Sequence, residues 1–246
     1  MPFNIKKCKV LVLNSALKGL SFKLTGAPLE LVKETKYLGV LFSRNRLTSL
    51  YGSHLAKVLE RAEVRANAIR HTGFHRDGLR PQTAVSMYKA LVRPILEYAA
   101  EVLSYKHYYF TDRKSTKVEE PPEMIRRLEN LQNRVLKKLV SCPKNTPPAV
   151  VRLLTGTMPL SARIDMLKLR YFWKLQHMQT DNIAKEVYLG LRKNFLSGAV
   201  GYVHEIFNIC CKYDRMDIWH GISPSTVARK INPLAMTRKM VEQYHL

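Results

Sequence analysis

Short apolar runs separated by turn residues occupy the first forty or so positions. After them a three-and-four repeat of apolar residues lasts almost to the end of the chain. The early runs predict strands over Cys8 to Leu13, Leu20 to Leu24, Leu29 to Val32 and Tyr37 to Phe42. Turn signals at Asn14-Ser15, Lys18-Gly19 and Thr25-Gly26-Ala27-Pro28 divide them. The later repeat predicts helices, the first from Leu47 to about Thr72 with Leu55, Val58, Ala62, Ala66 and Ile69 on one face. The expected fold is mostly α with a small N-terminal antiparallel β-element.

A second helix is predicted from Pro81 to about Leu103, apolar at Val85, Tyr88, Leu91, Val92, Ile95, Leu96 and Ala99. Pro94 lacks the N–H the ladder needs there, so a kink or break is expected beside it. Residues 104–122 run from aromatic to charged and close on Pro121-Pro122, which reads as a long loop or linker. Further helices are predicted over Pro122 to Val140, Ala149 to Leu154, Pro159 to Gln179, Ile183 to Leu191 and Tyr202 to Cys211, with a loosely packed tail over Arg229 to Tyr244. In Pro159 to Gln179 the inward positions are Ile164, Leu167, Tyr171, Leu175 and Met178, with Arg163, Lys168, Arg170 and Lys174 on the flanks. Phe172 and Trp173 read as core aromatics. The organisation is 1–46 strands, 47–103 helices, 104–122 linker and 123–246 helices with the tail.

Charge changes the picture from a generic helical protein to one with a polyanionic partner. Lysine and arginine total 41 against 19 acids, a net charge of +22. Such a balance favours RNA or DNA, because cations that neutralise phosphates release counterions; the plainer alternative is a solvated basic surface. Lys57, Arg61 and Arg65 recur every fourth residue beside the apolar face of the first helix, with Arg70 beyond. They could track a phosphate strand, or form a solvated face moderated by Glu60 and Glu63. Arg126, Arg127, Arg134, Lys137 and Lys138 make a second basic face. Contacts of this kind read backbone and not base sequence.

Four scattered cysteines, Cys8, Cys142, Cys210 and Cys211, make neither a disulfide framework nor a zinc spacing. His71 and His75 are four apart, but Gly73 breaks the helix that would aim both at a metal. No cofactor or metal is expected. No apolar run approaches membrane-spanning length and no signal-peptide core precedes the strands. The expectation is an intracellular chain in nucleus or cytoplasm, without a membrane partner.

Asn4-Ile5-Lys6-Lys7-Cys8-Lys9-Val10-Leu11 followed by Lys36-Tyr37-Leu38-Gly39-Val40 resembles the end of the palm in non-LTR (LINE-like) retrotransposon reverse transcriptases. Met87 to Tyr98, Leu128 to Leu136 and Gly156 to Arg163 resemble the family's segments after the thumb, in the same order. The likeness spans roughly 170 residues and rests on that order, since each motif alone is common. It implies that Lys7 stands at the motif D lysine, and that Tyr37, Leu38 and Gly39 belong to a primer-grip hairpin touching nucleic acid. The first long helix would be thumb, cradling a template–primer duplex of RNA and DNA. Leu103 departs from the tryptophan usual at its position.

Polymerisation needs paired carboxylates that hold two metal ions, yet no aspartate precedes Asp77. The family's Tyr-x-Asp-Asp turn would lie ahead of Phe3, so Lys7 is expected to be vestigial and the chain alone inactive. No zinc knuckle or endonuclease constellation is recognisable downstream, and Cys210-Cys211, Asp214 and Asp217 do not supply one. The leading expectation is a truncated reverse-transcriptase fragment that binds template–primer. Alternatives are a non-enzymatic basic nucleic-acid-binding protein, a degraded element without function, or a polymerase subunit completed by a separate palm portion.

Overall fold

The computed structural model describes residues 4, 8–12, 21–43, 51–71, 80–103, 123–198 and 201–221. Lys7, the 104–122 linker, His75 and the tail beyond Gly221 lie outside the described residues. The chain divides into two compact units, residues 1–61 and 62–246. Helix α1, Gly52–His71, gives its first half to one and its second half to the other.

The first unit holds three two-stranded pairings. β1 (Lys9–Leu11) pairs with β4 (Glu30–Val32), β2 (Lys23–Leu24) with β3 (Ala27–Pro28), and β5 (Glu34–Tyr37) with β6 (Val40–Ser43). The expected antiparallel β-element needs one correction, because β1 and β4 run parallel in the register Lys9↔Glu30, Val10↔Leu31, Leu11↔Val32. Opposite charges sit directly across that register, with Lys9 Nζ 3.5 Å from Glu30. Tyr37 to Phe42 is not one strand but the second hairpin, reversing at Leu38-Gly39 with φ of 45° and 82°. Two positive φ values in a two-residue loop match the twist of the flanking strands, and glycine accepts its position without strain. Leucine does not: Leu38 holds a left-handed conformation costing about 1 kcal/mol and is 75% exposed.

Behind the hairpin, β6 is buried at Val40, Leu41 and Ser43. His54 on α1, only 4% exposed, accepts the Leu41 backbone N–H at Nδ1, 3.4 Å away. Ser53 donates to Glu34 on β5 at 2.7 Å, and Phe42 meets Tyr51 edge-on with centroids 5.8 Å apart. Burial, then the Arg61 charge, holds His54 below its ordinary value of 6.5. A group harder to protonate when folded gives stability above the unfolded value, and loses it as pH falls below about 6.5. The Leu41 amide, corrected for intrinsic exchange, is therefore expected to lose protection between neutral pH and pH 5, and to lose none in His54→Gln.

The second unit is helical. Past α1 come α2 (Pro81–Met87), a π-helical turn (Tyr88–Val92) and α3 (Arg93–Glu97). The π turn answers the break expected at Pro94: Arg93 donates to Tyr88 five residues back, and the proline starts a new helix at its first turn. This helical run ends at Glu97, short of Leu103, where Ala99 takes φ 59°. The remaining helices are α4 (Glu123–Leu139), α5 (Pro148–Thr155), α6 (Leu160–Gln176), α7 (Ile183–Leu196), α8 (Tyr202–Lys212) and α9 (Met216–His220).

α6 is the central element, buried on two faces. Ala162, Met166, Leu169, Phe172 and Leu175 meet a core built with α7, α8 and α9, in which Phe172 stacks on Trp219 at 5.7 Å. Lys168, expected on a flank, is 1% exposed, and its Nζ lies 2.7 Å from Glu205 on α8, itself 3% exposed. Tyr202, one turn before Glu205, is held neutral mainly by burial, with Tyr171 and Glu205 adding to the upward push. No described helix is long and apolar enough to cross a membrane.

Candidate nucleic-acid interface

Three sequence segments separated by loops are drawn together in the second unit by polar side chains. Tyr88 Oη donates to Gln132 Oε1 at 2.8 Å, and Gln132 Nε2 donates in turn to the Met158 carbonyl at 2.7 Å. Glu129 accepts both the backbone N–H and the hydroxyl of Ser161 at 2.8 Å, capping α6 where Pro159 offers no side-chain cap. Arg163 reaches back to Glu97, with Nε 2.8 Å from Oε1. Lys89 donates to the last carbonyls of α5, Thr155 and Gly156. These residues lie in Met87 to Tyr98, Leu128 to Leu136 and Gly156 to Arg163, or at their margins. Their work is to fix α2–α3, α4, α5 and α6 against one another.

The basic residues fall into separate sets. Lys57, Arg61 and Arg65 are exposed along α1, one turn apart, beside a buried strip of Leu55, Val58, Ala62, Ala66 and Ile69. A rise of 1.5 Å per residue puts neighbouring members about 6 Å apart along the axis, close to the spacing of phosphates on one strand. Arg70 does not continue this ridge. It is five residues past Arg65, which at 100° per residue turns it about 140° around the helix. It faces α4 instead, across a groove with an apolar floor of Ala66, Leu131 and Val135.

Arg134 and Lys138 complete the far rim of that groove. Arg127 is exposed seven residues before Arg134, two turns along the same stripe of α4. Arg126, also exposed, lies about a quarter turn from that stripe. Lys137 is turned to the chain itself, donating to the Lys144 carbonyl beyond the helix end. Comparison with protein families, curated proteins and solved structures finds no match.

In the first unit the hairpin tip presents Tyr37, 66% exposed, and Leu38 on a two-residue loop closed by Gly39. Four acids of the second unit are paired within the fold: Glu97 with Arg163, Asp165 with Lys212 and Tyr213, Glu205 with Lys168, and Asp217 with Arg215. The hydrogen bond from Arg215 is the main reason the Asp217 carboxyl stays below its ordinary range. Burial, helped by Cys211, pushes the Cys210 thiol up to about 12, which makes it a core residue and a poor nucleophile. Among the described residues, no group of three or more His, Cys, Asp or Glu could hold a metal ion.

The periodicity identified the ridge, but two partners were hidden from it. Glu63 is bonded to Arg134, 71 residues away in sequence, with Oε1 2.8 Å from the guanidinium. Nothing local in either segment signals that pairing. The buried Lys168–Glu205 pair is likewise silent in sequence, since each residue reads as an exposed helical charge.

Proposed function

We propose that this chain is a C-terminal part of a LINE-like reverse transcriptase that binds the template–primer duplex and does not itself extend the primer. The observation that carries the reading is the exposed ridge of Lys57, Arg61 and Arg65 on α1, in a chain of net charge +22. A row of cations one helical turn apart, at near-phosphate spacing, binds a nucleic-acid backbone without regard to sequence. The resemblance in motif order gives the duplex its identity as template–primer, with the Tyr37-Leu38-Gly39 tip as a second contact. The linked segments of the helical unit support the same reading, because they supply the stiff scaffold a thumb and connection require. Primer extension needs paired carboxylates that hold two metal ions, and no aspartate occurs between Met1 and Asp77.

Binding of the full chain to an RNA–DNA hybrid and to duplex DNA over a salt series, with primer extension measured alongside, tests the proposal. Salt-dependent binding of both duplexes without extension is the expected result. A basic nucleic-acid-binding protein of other descent would bind alike but show no preference for a recessed primer end. Preference for that end over a blunt duplex therefore favours the reverse-transcriptase reading.

A further inference from the structure

We propose that the α1–α4 groove of the helical unit is a seat for one backbone phosphate of the bound nucleic acid, and that Glu63 occupies this seat in the free protein as an internal anion. The inference rests on the nucleic-acid reading above. Arg70, Arg134 and Lys138 converge on the groove, and Glu63 is the acid that lines it with them. Its Oε1 lies 2.8 Å from Arg134. A carboxylate offers a guanidinium what a phosphodiester offers, two oxygens sharing negative charge within reach of a planar fork.

The latch is built to give way. Its two side chains are 52% and 51% exposed, so water screens the attraction and the pair contributes little to the fold. A phosphate in a polyanion brings a gain that Glu63 lacks, the release of condensed counterions. Asn67 stands on the same rim and can donate to a phosphate oxygen without competing for charge. The buried floor of Ala66, Leu131 and Val135 keeps the two helices at fixed separation while the rim exchanges one anion for another. Glu63 thus opposes binding by one ion pair, while keeping Arg134 turned toward the place a phosphate will take.

The test is binding of the full chain and of Glu63→Gln to a short duplex DNA, read by fluorescence anisotropy at one salt concentration, with Arg134→Gln and the double variant completing a cycle. Glu63→Gln is expected to tighten binding about three- to fivefold, the size of an exposed ion pair, with an unchanged melting temperature. In the Arg134→Gln background the same change is expected to do little, because the latch has no partner left. Glu63→Ala gives the same direction by a different shape. Unchanged or weaker binding by Glu63→Gln, while the wild type binds, overturns this inference alone. An equal gain in both backgrounds also overturns it, since the effect would then be net charge only. Failure of every protein to bind at low salt overturns the nucleic-acid reading and this inference with it.

Discussion

Replacing Lys168 with methionine is expected to lower the unfolding free energy of the 62–246 unit by about 3–5 kcal/mol. For a unit of this size the melting temperature falls by on the order of 10 °C. Lys168 and Glu205 are 1% and 3% exposed and 2.7 Å apart, so neither charge has water to fall back on. Removing the lysine leaves the Glu205 carboxylate buried without its cation, while its other oxygen, Oε2, is already without a partner. Lost attraction is the smaller part of the cost; an uncompensated buried charge is the larger. It follows that Lys168→Met combined with Glu205→Leu recovers most of the loss, because the pair's desolvation penalty disappears with it. Thermal melts of the three variants check this. A single variant as stable as wild type, or a double variant no better than the single, would contradict it.

Reversing the charges of Lys57, Arg61 and Arg65 together is expected to weaken duplex binding on the order of a hundredfold at moderate salt. The slope of log K against log salt should become shallower by about 2.7, at roughly 0.9 per phosphate released. All three side chains are exposed and none lies in the buried strip of α1. Glutamate is as good a helix former as lysine or arginine, so the change acts on the surface with only a few tenths of a kcal/mol from new like-charge neighbours. Circular dichroism of the variant should match wild type. Unchanged affinity and slope would show that this ridge is a solvated face, and would remove the observation on which the proposed function stands.

What could be read from sequence, and what could not, follows from the range of the forces involved. α1, α4 and α6 were legible because burial of one face imposes a repeat that a local window detects. Their observed bounds fall within a few residues of expectation, ending at His71, Leu139 and Gln176. Pro94 announced its own disturbance, though not that a π turn would absorb it. α9 escaped because five residues carry too little periodicity, and α6 was read as one-faced although neighbours cover it on two sides. The parallel β1–β4 pairing escaped because strands of three residues carry no register signal.

The candidate contacts divide in the same way. Exposure of Lys57, Arg61, Arg65, Arg126 and Arg127 was legible, being the complement of a buried stripe. Arg70 was grouped with the ridge by proximity in sequence, and helical geometry turns it away. The engagement of Arg134 by Glu63 is a contact between distant segments, which no local pattern can carry. Tyr88, Gln132, Glu129 and Arg163 occur in segments singled out for their likeness to a family. Their side chains prove to be the ties between those segments. A motif in this part of the chain is thus a record of packing, and function must be sought on the exposed faces the packing leaves.

The salt dependence of duplex binding reports directly on whether the α1 cations engage phosphates. Equilibrium affinity of the full chain for one RNA–DNA hybrid and one duplex DNA would be measured from low to physiological salt. Three ridge cations engaging phosphates predict a slope of log K against log salt of about −2.7 or steeper on both, since each contributes roughly −0.9. A slope shallower than about −1, or no binding at the lowest salt, would contradict a phosphate-tracking surface on α1.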